Sequence, residues 1–142
     1  MVIDTSSLVC ILLDEPEAER HARRLSEMDS PNVMSAATWL ETMPIISARR
    51  GELGRQSLEE LLVLAMIDIQ PVDAELARIA YHAWLQYGKG RHPAGLNFGD
   101  CFSYALAKKL QEPLLFKGAD FSKTDPRKQG SHRRSDETVG RG

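Results

Sequence analysis

At 142 residues, with 42% hydrophobic and 27% charged side chains, the chain has the size and balance of one globular domain. Its longest uninterrupted apolar run, Leu61 to Ile67, falls far short of the roughly 20 residues a membrane span requires, and no basic start with a long apolar stretch marks a secretory leader. Net charge is −2, unevenly divided: residues 122–142 hold six Lys/Arg and three Asp/Glu, whereas residues 1–121 hold twelve and seventeen. An acidic body does not suit a passive nucleic-acid binder, whose phosphate contacts come from Lys and Arg, but it suits carboxylates gathered around a divalent cation.

In chain order, Met1–Asp4 is a short apolar run ending in an acid, which predicts a buried strand. Thr5 or Ser6 is placed to cap a helix reaching about Leu13, and Glu15-Pro16-Glu17 opens another that runs to about Met28. Asn32–Ser35 predicts a second strand. A helix follows from Ala36 to Arg50, with a bend at Pro44 and a stop at Gly51. Gln56–Met66 predicts a further helix, and the alternation of Ile67 to Val72 a third strand. Asp73 caps a helix from Ala74 to about Tyr87, Gly88–Gly95 is a loop, Gly99–Leu110 a helix and Leu114–Phe116 a fourth strand. Short apolar strands alternating with helices indicate an α/β fold with a mainly parallel sheet. The domain is expected to span residues 1–122. Residues 123–142, with Val139 as their one strong hydrophobe, are expected to be a disordered basic tail.

Ligands of parallel sheets bind at the carboxyl ends of the strands, so acids at those ends carry the most weight. Asp4 ends the first strand. Glu41 is the only ionisable side chain between Pro31 and Ala48, in a helix of Trp39, Leu40, Met43, Ile45 and Ile46, where a carboxylate is costly to desolvate without compensation. Asp100 opens a helix, where the macrodipole also favours an acid, and Asp120 follows the fourth strand. Brought together, these carboxylates would repel one another unless Mg2+ or Mn2+, which take oxygen ligands, neutralised them. Such a site supports phosphodiester hydrolysis. His21, His82, His92 and His132 lack zinc-type spacing and read as surface or partly buried residues, while Cys10 and Cys101 read as buried thiols of a reducing, cytoplasmic setting. No Gly-x-Gly-x-x-Gly follows a strand, which leaves a dinucleotide enzyme unsupported, and Asp4-Thr5-Ser6 lacks the second acid of many aspartate-dependent phosphatases.

The opening Met1-Val2-Ile3-Asp4-Thr5-Ser6-Ser7, the run from Tyr87 to Cys101 and Leu115-Phe116-Lys117-Gly118 together resemble PIN-domain proteins, especially VapC-type toxins, over residues 1 to about 125. The resemblance implies a three-layer α/β/α fold and an endoribonuclease dependent on Mg2+ or Mn2+ that leaves a 5′-phosphate and a 3′-hydroxyl. Asp4, Glu41 and Asp100 match the family's first three acids and its metal ligands, and Thr5 or Ser6 its supporting hydroxyl. Gly118 stands where many relatives carry the fourth acid, so that role passes to Asp120. The Met43-Pro44 pair departs from the smoother helix usual after the second acid, a departure able to shift Glu41. The resemblance further implies a homodimer and a cognate VapB-type antitoxin, with Lys89, Arg91 and His92 contacting RNA phosphates or an acidic antitoxin segment. The alternative is a non-catalytic RNA- or protein-binding module built on the same fold.

Overall fold

The computed structural model describes residues 1–27, 30–118 and 124. Its elements are β1 (Val2–Ile3), α1 (Thr5–Leu12), α2 (Ala18–Ser26), β2 (Asn32–Ser35), α3 (Ala36–Leu64), β3 (Ile67–Gln70), α4 (Ala74–Tyr87), α5 (Phe98–Leu110) and β4 (Leu114–Leu115). The four strands pair in the order β3-β2-β1-β4, every pair parallel. In register, Val2 lies opposite both Val33 and Leu114.

Successive residues of a strand point to opposite faces, and the core divides accordingly. Val2, Val33, Leu114 and Phe116 meet Leu76, Ala80, Ala83 and the buried side of α5. Ile3, Met34, Ile67 and Leu115 meet Leu8, Leu25, Leu58 and Leu62 of α1, α2 and α3. The sheet is therefore the middle of three layers, as expected. Burying each large aliphatic side chain contributes about 1.5–3 kcal/mol, so both faces are needed to hold such short strands.

The helix boundaries differ in instructive ways. The cap of α1 is Asp4, not Thr5 or Ser6: at the end of β1 its backbone is still extended and its carboxylate accepts from the Ser6 N–H. In α3 the backbone stays helical through Pro44, which lies on the exposed side where water can take the carbonyl bond its missing N–H forgoes. The break falls at Gly51 (φ 60°, ψ −146°), and helix resumes at once instead of waiting for Gln56. Asn97 and Asp100 close α5 with a reciprocal capping box. The expected tail lies outside the described residues apart from Thr124.

Candidate functional site

β1 has β2 on one side and β4 on the other, so the chain's connections diverge at its carboxyl end. Such a switch point is where parallel sheets bind ligands. Asp4 stands at this end, its N–H donating to Leu115 O at 3.0 Å, and the Lys117 N–H after β4 reaches Ser6 Oγ at 2.9 Å.

Asp4 is 3% exposed. One carboxylate oxygen accepts from the Ser6 N–H (3.1 Å) and Ser6 Oγ (2.7 Å), the other from Ser103 Oγ at 2.5 Å. Burial pushes this carboxyl above the usual range, and the hydrogen bonds from Ser103 and Ser6 only partly oppose it. Ser103 belongs to α5, one helical turn beyond Asp100, so its bond to Asp4 draws that helix against the end of β1.

Glu41 is carried by α3, whose start is fixed by Ser35 capping the Thr38 N–H at 2.9 Å. Thr42 donates to Thr38 O (2.8 Å) and lies 2.9 Å from Thr5 Oγ1, which seats α3 on α1. Burial pushes the Glu41 carboxyl up, a hydrogen bond with Thr5 opposes this, and the negative charge of Asp4 adds to it. No basic side chain is among the causes that shift Asp4 or Glu41. The carboxylate of Glu41 rests directly on the backbone of α5: a methyl group added to Gly99 would lie 1.8 Å from Glu41 Oε2 and 2.4 Å from its Cδ. Only a residue without a side chain permits that approach.

Asp100 is buried, its Oδ2 accepting from the Asn97 N–H at 3.0 Å while its own N–H donates to Asn97 Oδ1 at 2.8 Å. The acid thus completes the cap of α5 on one oxygen. Ser103 ties α5 to Asp4 and Gly99 ties it to Glu41, so the helix that carries Asp100 lies against both of the other acids. The three acids do not form a tight ligand set: among the described residues only Cys10, Glu17 and His21 have ligand atoms all within 4.8 Å of one another. The donor set of carboxylates and hydroxyls suits a hard, hydrated cation such as Mg2+, which keeps several waters and takes one or two carboxylates directly.

Of the hydroxyl candidates, Ser6 serves Asp4 and Thr5 serves Glu41. In the loop before α5, Arg91 lies over the Trp84 ring at 4.3 Å, His92 Nδ1 accepts from the Ala94 N–H at 3.0 Å, and Lys89 is exposed. Asp120 falls outside the described residues; Gly118 has φ +100°, where any residue bearing a side chain would be strained. Sequence reasoning missed Ser103 and Gly99. Spacing held a signal for the first, three residues after Asp100 on one helical face, but none for the second.

Residues 1–126 match the PIN domain family. Over 125 residues the chain is 54% identical to VapC ribonuclease Mb0640 of Mycobacterium bovis and to ribonuclease VapC30 of Mycobacterium tuberculosis, covering 88% of this chain and 95% of each relative. It is 52% identical to ribonuclease VapC of Mycolicibacterium smegmatis, over 88% of this chain and 96% of that one. Among solved structures, M. tuberculosis VapC20, described as a sarcin-ricin loop cleaving toxin, is similar with a TM-score of 0.69 at 20% identity, covering 85% of this chain and 92% of that one. A toxin–antitoxin complex from Klebsiella pneumoniae gives 0.65 at 17%, covering 89% and 92%. These structural likenesses concern the fold.

Proposed function

The chain belongs to the PIN-domain family, in its VapC branch, and from that premise we propose that it is a metal-dependent endoribonuclease, the toxin of a type II toxin–antitoxin pair. The observation that carries this reading is the buried Asp4 at the carboxyl end of β1, fixed by Ser103 of the helix that bears Asp100, with Glu41 seated on Gly99 of the same helix.

Asp4, Glu41 and Asp100 are the residues to hold Mg2+ or Mn2+, directly or through water, with Asp120 in support. Bound there, the cation supplies an activated water and charge stabilisation for the phosphate and the leaving oxygen. The chain's own work is orientation. Ser6 and Ser103 fix both oxygens of Asp4, Thr5 holds Glu41, and the Asn97–Asp100 cap sets the pitch of α5. Lys89, exposed on the loop before α5, is available to an RNA phosphate. Leu40 and Phe98, each adjoining a site residue and 63% and 79% exposed, offer apolar contacts to an inserted segment of a VapB-type antitoxin. A homodimer belongs to the same proposal.

The purified chain is expected to cleave RNA with Mg2+ or Mn2+, to stop on addition of EDTA, and to lose nearly all cleavage as Asp4→Asn. Undiminished cleavage by that variant would overturn the mechanism. The non-catalytic reading is favoured by one observation, the glycine at position 118. It requires that Mn2+ leave both RNA integrity and the melting temperature unchanged, since a ligand of the folded state raises the latter.

A further inference from the structure

A second cluster of ligating side chains lies apart from the three carboxylates, between α1 and α2. Cys10 sits in the last turns of α1, Glu17 at the start of α2, and His21 one turn later on the same face as Glu17. Their ligand atoms all lie within 4.8 Å of one another. We propose that Cys10, Glu17 and His21 form a binding site for a zinc-type divalent cation, which ties α1 to α2 and is chemically distinct from the carboxylate pocket.

Four observations carry the assignment. First, a thiolate, an imidazole and one carboxylate suit zinc-like cations, whereas Mg2+ and Ca2+ prefer all-oxygen sets. Second, the charges balance: a thiolate and a carboxylate against a divalent cation, with neutral imidazole, leave no net charge where Cys10 and His21 are 0% and 1% exposed. Third, His21 Nδ1 lies 2.9 Å from Ser7 Oγ. Donation from Nδ1 to Ser7 selects the tautomer with the lone pair on Nε2, and such a partner orients the imidazole of a metal site. Fourth, the Glu17 side chain makes no capping bond to its own helix, although it occupies the N-cap position. A tetrahedral zinc with bonds of about 2.0–2.3 Å sets its ligand atoms roughly 3.5 Å apart, so closure needs about an ångström of movement. The half-exposed Glu17 is free to supply it, its contact with Arg20 being a loose 3.7 Å ion pair. Water completes the fourth position. Binding displaces the thiol proton, which burial otherwise holds on Cys10 beyond the ordinary range.

The test is a Co2+ titration of the full chain, followed by the near-ultraviolet thiolate-to-cobalt charge-transfer band. A carboxylate pocket cannot give this band, so the readout is independent of nuclease activity. The band is expected in the wild type, in Cys101→Ser and in the Asp4→Asn/Glu41→Gln double variant, and it should survive millimolar Mg2+. It should vanish in Cys10→Ser, and Glu17→Gln, altered at a half-exposed position that leaves the fold intact, should weaken Co2+ binding at least several-fold. Zn2+ should displace the cobalt and raise the melting temperature of the wild type but not of Cys10→Ser. No band in the wild type, a band that persists in Cys10→Ser, or unchanged affinity in Glu17→Gln would each overturn the proposal.

Discussion

At the scale of single residues, the approach of Glu41 to Gly99 is the tightest constraint in the candidate site. A methyl group at position 99 would occupy the space of the Glu41 carboxylate, which is the far end of a flexible side chain and can swing away. Gly99→Ala is therefore expected to keep or slightly raise the melting temperature, since alanine favours a helix, while RNA cleavage falls by about 10- to 100-fold, the range for disturbing a ligand's support. In a Glu41→Ala background the same change should be silent in the residual cleavage; an equal loss there would show that Gly99 acts by another route. The buried acids also set a pH dependence. Asp4 and Glu41 both hold their protons more tightly folded than unfolded. The folded state then binds more protons, so the stability these groups contribute is full below their ordinary values, 3.8 and 4.5, and is lost as pH rises through the raised ones. In EDTA the melting temperature of the wild type should drop relative to Asp4→Asn/Glu41→Gln as pH climbs from about 4 towards neutrality. Mn2+ should reverse the trend, because it selects the ionised forms. A constant difference across that range would count against burial as the source of the shifts.

At the scale of elements, α3 shows how a helix can carry two jobs. Its first part positions Glu41 through the Ser35 cap and the Thr38 and Thr42 hydroxyls, while its second packs Leu58 and Leu62 under the sheet. The change of direction between them is concentrated in Gly51, at φ 60° and ψ −146°, a conformation that residues with a side chain strongly avoid. Nothing lies within 4 Å of a methyl group placed there, so the cost of Gly51→Ala is conformational rather than steric. Denaturant unfolding should show a loss of about 1–3 kcal/mol. A neutral effect would mean that packing on either side, not the glycine, holds the break. Pro44 illustrates the converse: at an exposed position its missing hydrogen bond leaves the helical path unchanged.

At the scale of the whole molecule, the two buried clusters on either face of the sheet are built entirely from residues 1–116. The family match ends at residue 126, and Thr124 is still buried. We propose that the basic segment beyond adds nothing to the fold. A chain ending at residue 126 should melt at the same temperature as the full chain and cleave RNA equally well. A lower melting temperature would show that residues 127–142 pack on the domain.

The sequence by itself determined the alternation of strands and helices and the parallel sheet, and it singled out Asp4, Glu41 and Asp100 as candidates, because hydrophobic period and the rarity of an acid in an apolar helix are local signals. Only the tertiary structure decided which groups surround those acids. Ser103 reaches Asp4 across 99 positions of chain, and the space above Gly99 matters only once α3 lies against α5. The same holds for His21, unremarkable by spacing yet brought beside Cys10 and Glu17 when α1 and α2 pack together. Contacts between distant segments depend on how helices pack, and that is set by the complementarity of whole faces, which no short stretch of residues encodes.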